Sequence, residues 1–289
     1  MPSLLQRLAT APFAVFGSIS AMTHELGTSN DVLRMPLSLS RRIGFVQLRG
    51  GSGASSTAAY VASLIARRRA GMVIGVNASP GEASMLWHAG LSATTEYLPN
   101  QHRDRARSAQ DARAGLPITT SGLYALDLQK LTDGRGSPRA STWFDCLEPI
   151  TRFYDIVATD WGARSWKLDL GQVAAASHVV CVVARADRHT VEEAAAIVPA
   201  LVAAPNQPRV VLALVDVGNT AGRIAPRLQA ALGVPVVAVP YDPARAGPRA
   251  LSSSALRART RIAYTRLATA IIVQAQSPVD RARTGELSA

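Results

Sequence analysis

The stretch RGGSGASST runs from Arg49 to Thr57, directly after the apolar run IGFVQL (43–48). Gly50, Gly51, Ser52 and Gly53, with Ser55, Ser56 and Thr57 opening an Ala/Leu-rich stretch, are the parts from which a chain builds an anion cradle. Glycines that accept positive φ turn successive amide N–H groups to one side, and a helix start adds its own unpaired N–H groups. Such a loop binds phosphate. With a lysine and a Mg2+-binding hydroxyl it also supports phosphoryl transfer. Here Ala54 stands where such a loop needs its lysine. The chain holds two lysines, Lys130 and Lys167, both far from the loop in sequence. Two readings stay open: a cradle that binds phosphate without hydrolysis, or a strand–turn–helix joint that keeps its glycines for backbone reasons.

Other chemistries find little support. His24, His88, His102, His178 and His189 lack metal-ligand spacing. Cys181, within HVVCVVA, reads as a buried apolar residue, and Cys146 has no nearby partner. Two cysteines in a chain this long form no disulfide framework and fit a reducing cytoplasm. GSGAS contains no nucleophile elbow with a matching His/Asp set, so no hydrolase is expected.

The elements that must position the loop are legible. The 289 residues are 48% apolar and 18% charged, enough for one sizeable α/β domain. Seven short apolar runs recur at 43–48, 71–77, 123–128, 154–160, 178–184, 209–216 and 234–240. They are too apolar for half-exposed strands and suit a sheet buried on both faces. Helical stretches between them predict a doubly wound, mostly parallel sheet of about seven strands with helices on both faces. We divide the chain into an N-terminal extension (1–40), a single domain (41–275) and a tail (276–289), with 96–118 as an excursion over the sheet edge. APFAVFGSISAM (11–22) is too short to span a membrane and reads as a docking or lid segment. Residues 253–275 predict a long final helix with Leu256, Ala263, Leu267 and Ile271 on its packed stripe and Arg257, Arg259 and Arg261 in solvent.

The net charge is +11, carried almost wholly by arginine. Arginines cluster at ARRRA (66–70), HRDRAR (102–107) and LRARTR (256–261). Without a nucleic-acid-binding motif beside them, compositional bias is the favoured reading, with DNA, acidic lipid or an acidic protein face as the alternatives.

The loop resembles the deviant Walker A motif of the ParA/MinD family of P-loop ATPases, K-G-G-x-G-K-[ST]-[ST]. Four further elements follow in family order. NASP (Asn77, Ala78, Ser79, Pro80) fits the frame of D-x-D-P. YDIVATDWG keeps Tyr154, Asp155, Val157, Asp160 and Gly162. ASHVVCVVARADRHTVEEA and LGVPVVAVPYD resemble the late strand–helix and strand–loop elements, so the similarity covers roughly 41–273. The wording is similar to MinD-like proteins encoded beside actinobacterial type VII (ESX) secretion systems, with the pilus-localising TadZ/CpaE branch as the second match.

The resemblance implies roles. Arg49 stands for the signature lysine that acts across a dimer, and Ser55 for the Mg2+ ligand. Gly50, Gly51, Ser52, Gly53 and Ser56 would line phosphate. Asp160 would hold a Mg2+-bound water, and Asp216 lies near the adenine-reading position. Trp87, Trp161 and Trp166 fall in regions that switch in active relatives. Because Ala54, Asn77 and Ser79 lack the family's charges, the expectation is a pseudo-ATPase with no cofactor, ATP/Mg2+ remaining the alternative. It would be a scaffold or localisation factor, partnering a secretion or pilus-type machine, with a homodimer left open. It would be cytoplasmic or peripheral at the inner face of the membrane. The rivals are an atypical ATPase of the same family and a DNA- or membrane-surface-binding positioning protein.

Overall fold

The computed structural model describes residues 22–91, 106–131, 136–165, 169–246 and 255–276. All seven apolar runs form strands: β1 Arg41–Gln47, β2 Val73–Asn77, β3 Leu123–Asp127, β4 Ile156–Ala163, β5 Val179–Arg185, β6 Arg209–Asp216 and β7 Val236–Pro240. They make one sheet in the order β3-β2-β4-β1-β5-β6-β7. Every neighbouring pair is parallel. In β5, Val180, Val182 and Ala184 enter one apolar cluster while Val179, Cys181 and Val183 enter the other. A period of two with both sets buried explains why these runs read as continuously apolar.

Helices cover both faces. One side carries α5 Ala140–Thr151, α6 Leu170–Ala175, α7 Arg188–Val202 and α8 Ala221–Leu232, with the short α4 Ala109–Arg113 at its margin. The other carries the helical residues 22–34 (α1), α2 Ala54–Arg68, the short α3 Met85–His88 and α9 Ala258–Ala275. The chain moves from β1 outward to β2 and β3, then returns through β4 and crosses β1 to β5. That reversal opens a crevice at the carboxyl ends of β1 and β4, where ligands of open α/β sheets sit.

One irregularity lies there. Phe45 pairs with Asp160 but Val46 pairs with Gly162, so Trp161 is an extra residue in β4. The bulge re-aims what flanks it. Gly162 takes φ +64, and a Cβ on it would meet Ser79 Oγ at 2.3 Å and Ser79 Cβ at 2.8 Å. Only glycine lets the β4 end pass this close to the loop after β2.

The ends of the described chain pack together. Leu33 of α1 is buried in the α2–α9 cluster. Arg69 donates to its carbonyl at 3.1 Å, and Glu25 pairs with Arg266 of α9 at 2.5 Å. The predicted stripe of the last helix is present: Leu256, Ala263, Leu267 and Ile271 are buried, and Arg257, Arg259 and Arg261 are exposed. Ending the chain after Ser252 should therefore abolish the cooperative thermal transition, and Leu267→Ala alone should cost about 2–5 kcal/mol in denaturant unfolding. A truncated protein that melts cooperatively and has lost only liposome binding would make the helix a membrane anchor instead.

Candidate functional site

The loop after β1 has the backbone of an anion cradle. Gly51 and Gly53 take φ +82 and +88, and Gly53 is the N-cap of α2. Two of its hydroxyls and one N–H are bound from within. Ser52 Oγ donates to the Arg49 carbonyl at 3.1 Å, and Ser56 Oγ donates to the Gly53 carbonyl at 3.1 Å. The Ala54 N–H, at the opening of α2, donates to Gln47 Oε1 at 3.2 Å. Gln47 read as the end of an apolar strand; as the last residue of β1 its amide folds back onto the loop.

At the lysine position, Ala54 is fully buried and its methyl belongs to the α2–α9 core cluster. Neither lysine is shown to replace it. Lys130 lies in the 3-10 turn after β3, three strands from β1, about 14 Å away at the usual strand spacing. Lys167 lies outside the described residues, as does Trp166. Arg49 is exposed and bound bidentately to Glu193 of α7, both contacts at 2.7 Å. In the implied cross-dimer role it would first have to leave that carboxylate.

The loop after β2 is also tied internally. Asn77 donates from Nδ2 to Asp127 Oδ1 at 2.8 Å, and its Oδ1 accepts from the Ser79 N–H at 3.0 Å. Asn77 lies in register with Asp127 of β3 on one side and Asp160 of β4 on the other. Asn is the residue that can sit between two carboxylate-bearing strands, donating to one while accepting from its own loop. A carboxylate there would repel Asp127.

Asp160 is fully buried. Oδ1 accepts from the Gly162 N–H at 3.0 Å, whereas Oδ2 has no hydrogen-bond partner. Burial pushes the carboxyl up to about 6, against the pull of the Ser55 hydroxyl, the Gly162 and Met85 backbone and the Arg164 guanidinium. Ser55 and Asp160 thus bring two oxygens to one place. Mg2+ takes six, so four would have to come from phosphate and water. Among the described residues no group of three His, Cys, Asp or Glu could hold a metal.

Two arginines complete the site, and loop motifs gave no sign of either. Arg164, just past β4, donates to the carbonyls of Trp161 (2.9 Å), Ala78 (2.8 Å) and Pro138 (3.1 Å), clamping the loop after β2. Arg245, in the 3-10 turn Pro243–Ala246 after β7, reaches the first turn of α2. Its Nη2 donates to Ser56 Oγ at 2.6 Å, and its guanidinium lies 5.4 Å from the Tyr264 ring centre. Half-buried His88 is pushed down to about 4 by desolvation first and by Arg245 second. The site therefore has a cation, contributed nearly 190 residues downstream of the loop.

Asp216 closes β6, and both its oxygens cap α8, accepting from the N–H groups of Gly218, Thr220 and Ala221. Trp161 is 1% exposed, so it packs in the core and is not available to fill a dimer face. Trp87 in α3 is half-buried against His88.

The buried carboxyl carries a pH signature. In the unfolded chain Asp160 titrates near 3.8, below its native value of about 6. Between those values the native state holds more protons, so stability falls as pH rises through the window and stays reduced above it. Asp160→Asn should raise unfolding free energy by about 1–3 kcal/mol at pH 7.5, with the gain vanishing near pH 4. Denaturant melts at the two pH values check this. A loss of stability at pH 7.5 would show that the ionised carboxylate has a partner.

No protein-family model matches the chain. The ESX-1 secretion-associated protein EspI of Mycobacterium tuberculosis is 26% identical over 160 residues, covering 55% of this chain and 24% of that protein. The chain thus spans about a quarter of the length of the curated relatives it matches. Among solved structures, a ParA family ATPase from Chlorobium tepidum superposes with a TM-score of 0.59 at 20% identity, covering 79% of this chain and 98% of that one. The MinD cell division protein of Aquifex aeolicus gives 0.55 at 13% identity (78% and 95%). The MinC:MinD complex of the same organism gives 0.55 at 14% (85% and 96%). The all-parallel sheet, the glycine loop between β1 and α2 and these superpositions together give the chain the fold of the ParA/MinD P-loop ATPases.

Proposed function

We propose that this protein is a non-hydrolysing member of the ParA/MinD fold that serves as a scaffold or localisation factor for a secretion machine. One observation carries the reading: the side chain at the phosphate-bridging position is a core methyl, and its N–H is spent on Gln47. The Arg49–Glu193 pair and the Asn77–Asp127 bond support it, since each commits a family position to a contact inside the chain. Losing one electrostatic contact to a transferring phosphoryl group costs about 3–4 kcal/mol of transition-state stabilisation. Ala54, Asn77 and Ser79 remove three charges.

The EspI match supports a secretion context, and the MinC:MinD complex is a precedent on this fold for work done through a protein partner. Such a role needs no passage through a bilayer. Among the described residues no helix is long and apolar enough to cross one. A cytoplasmic protein, at most peripheral at the membrane, is the matching proposal.

A second reading rests on Ser55, Asp160 and Arg245. A hydroxyl, a buried carboxylate and a guanidinium 2.6 Å from Ser56 are parts from which a nucleotide could be held without the usual lysine. Calorimetry with Mg-ATP separates the two. Tight, Mg2+-dependent binding that Arg245→Ala weakens would establish the second reading.

Under the first reading, phosphate release from ATP stays at the blank rate. Steady turnover that disappears on Ser55→Ala or Asp160→Ala would overturn it. Light scattering should likewise show no monomer-to-dimer shift on adding Mg-ATP, because the charges that bridge nucleotide across a family dimer are missing or internally paired.

A further inference from the structure

Two of the arginine runs that have no part in the phosphate loop come together in the fold. Arg67 and Arg68 close α2, Arg261 lies in the first turns of α9, and Arg34 closes α1. They rim a cavity of about 720 Å3 between the three helices. Its floor is apolar: Tyr60 and Leu64 of α2, Leu26 of α1 and Ile262 of α9. None of its lining residues is acidic. Arg34, Arg67 and Arg261 are exposed and make no ion pair with any described residue, and Arg68 bonds only to the Asn30 amide. The nearby carboxylate, Glu25, is already held by Arg266 at 2.5 and 2.8 Å. Four like charges around one recess repel one another, since a single cavity is comparable in width to the Debye length of about 8 Å. No acidic side chain lines the recess to offset them.

We infer that this groove docks an acidic protein segment, whose carboxylates meet the four guanidinium groups while an interleaved apolar side chain enters the floor. Guanidinium binds carboxylate bidentately and stays charged at every relevant pH, which suits a rim of this kind. The floor decides the class of occupant. A nucleic-acid duplex presents a convex phosphate surface with nothing to fill an apolar recess. A bilayer surface is flat and cannot enter one between three helices. A peptide carries both charge and apolar side chains at short spacing, and a polar rim around an apolar centre is how such interfaces are built. The groove lies at the far end of α2 from the phosphate loop, about 20 Å along the helix. Its occupancy therefore does not depend on whether the loop binds nucleotide.

The test uses the full chain and a fluorescein-labelled peptide of Glu-Glu-Leu repeats, read by anisotropy. Saturable binding is expected that weakens steadily as salt is raised. Arg67→Glu with Arg261→Glu should weaken it at least about tenfold, and Arg34→Glu, on a different helix, should weaken it several-fold. Lysine at positions 67 and 261 should retain most of it, and a Glu-Glu-Ser peptide should bind several-fold more weakly. All these side chains are exposed, and melting curves matching the wild type show that the variants fold. Absence of peptide binding, or equal binding by the glutamate variants, overturns the proposal. So does a DNA duplex or a phosphatidylserine vesicle that binds more tightly than the peptide and is lost in the same variants.

Discussion

The fold turns on a parallel sheet covered on both faces. Water reaches little of it, so every polar group near its carboxyl edge must find a partner inside the protein or bear the cost of burial. The β4 bulge concentrates that demand by bringing Asp160, Gly162 and Ser79 against one another at the crevice. The uncharged side chains at the motif positions take part in contacts that answer it. Asn77 donates to Asp127 where a carboxylate would repel it. Gln47 takes the N–H of Ala54, and Arg164 gathers three carbonyls. Asp160 keeps an unpaired carboxylate oxygen, and its burial there raises its pKa.

The elements were legible because the signals that define them are local. All seven strands, the glycine loop and the packed stripe of α9 come from short windows whose burial pattern is written in the sequence. The site was legible only along the chain. Ala54, Asn77 and Ser79 stand out against the motifs that the chain resembles, but the contacts they make could not be read along it. Arg245 lies nearly 190 residues from Ser56 and Asp127 lies 50 from Asn77; no motif spacing joins either pair. Asp216 shows the same limit from the other side. The resemblance sets it near an adenine-reading position, and only the fold shows its carboxylate capping α8. The short apolar segment at 11–22 and most of HRDRAR lie outside the described residues.

Arginine enrichment likewise has no single cause. Within ARRRA the three residues part company. Arg69 is a buried strut that holds the Leu33 carbonyl and lies 3.6 Å from Asp155, whereas Arg67 and Arg68 face the groove. Arg164 and Arg245 are structural cations at the crevice, and Arg266 ties α9 to α1. A compositional bias explains why arginine was the cation to hand. It does not explain why several are buried and hydrogen-bonded while four converge on one recess.

The groove and the phosphate loop meet on α2. Eleven of its fifteen residues are buried, which a helix tolerates on so many sides only when most are small. Ala54, Ala58, Ala59 and Ala62 supply that, and Tyr60 is its large exception, stacked at 4.5 Å on Tyr264. Tyr264 in turn lies under Arg245, which holds Ser56 at the helix start, so packed side chains run from the groove to the loop. Contiguity of this kind does not by itself transmit a signal. It does constrain the loop: α2 has no slack on its core faces, and a lysine at position 54 would have to leave the alanine-lined contact in order to reach a phosphate. Alanine at position 54 suits that packing, since its methyl fills the core contact and leaves the helix closely held from its first turn.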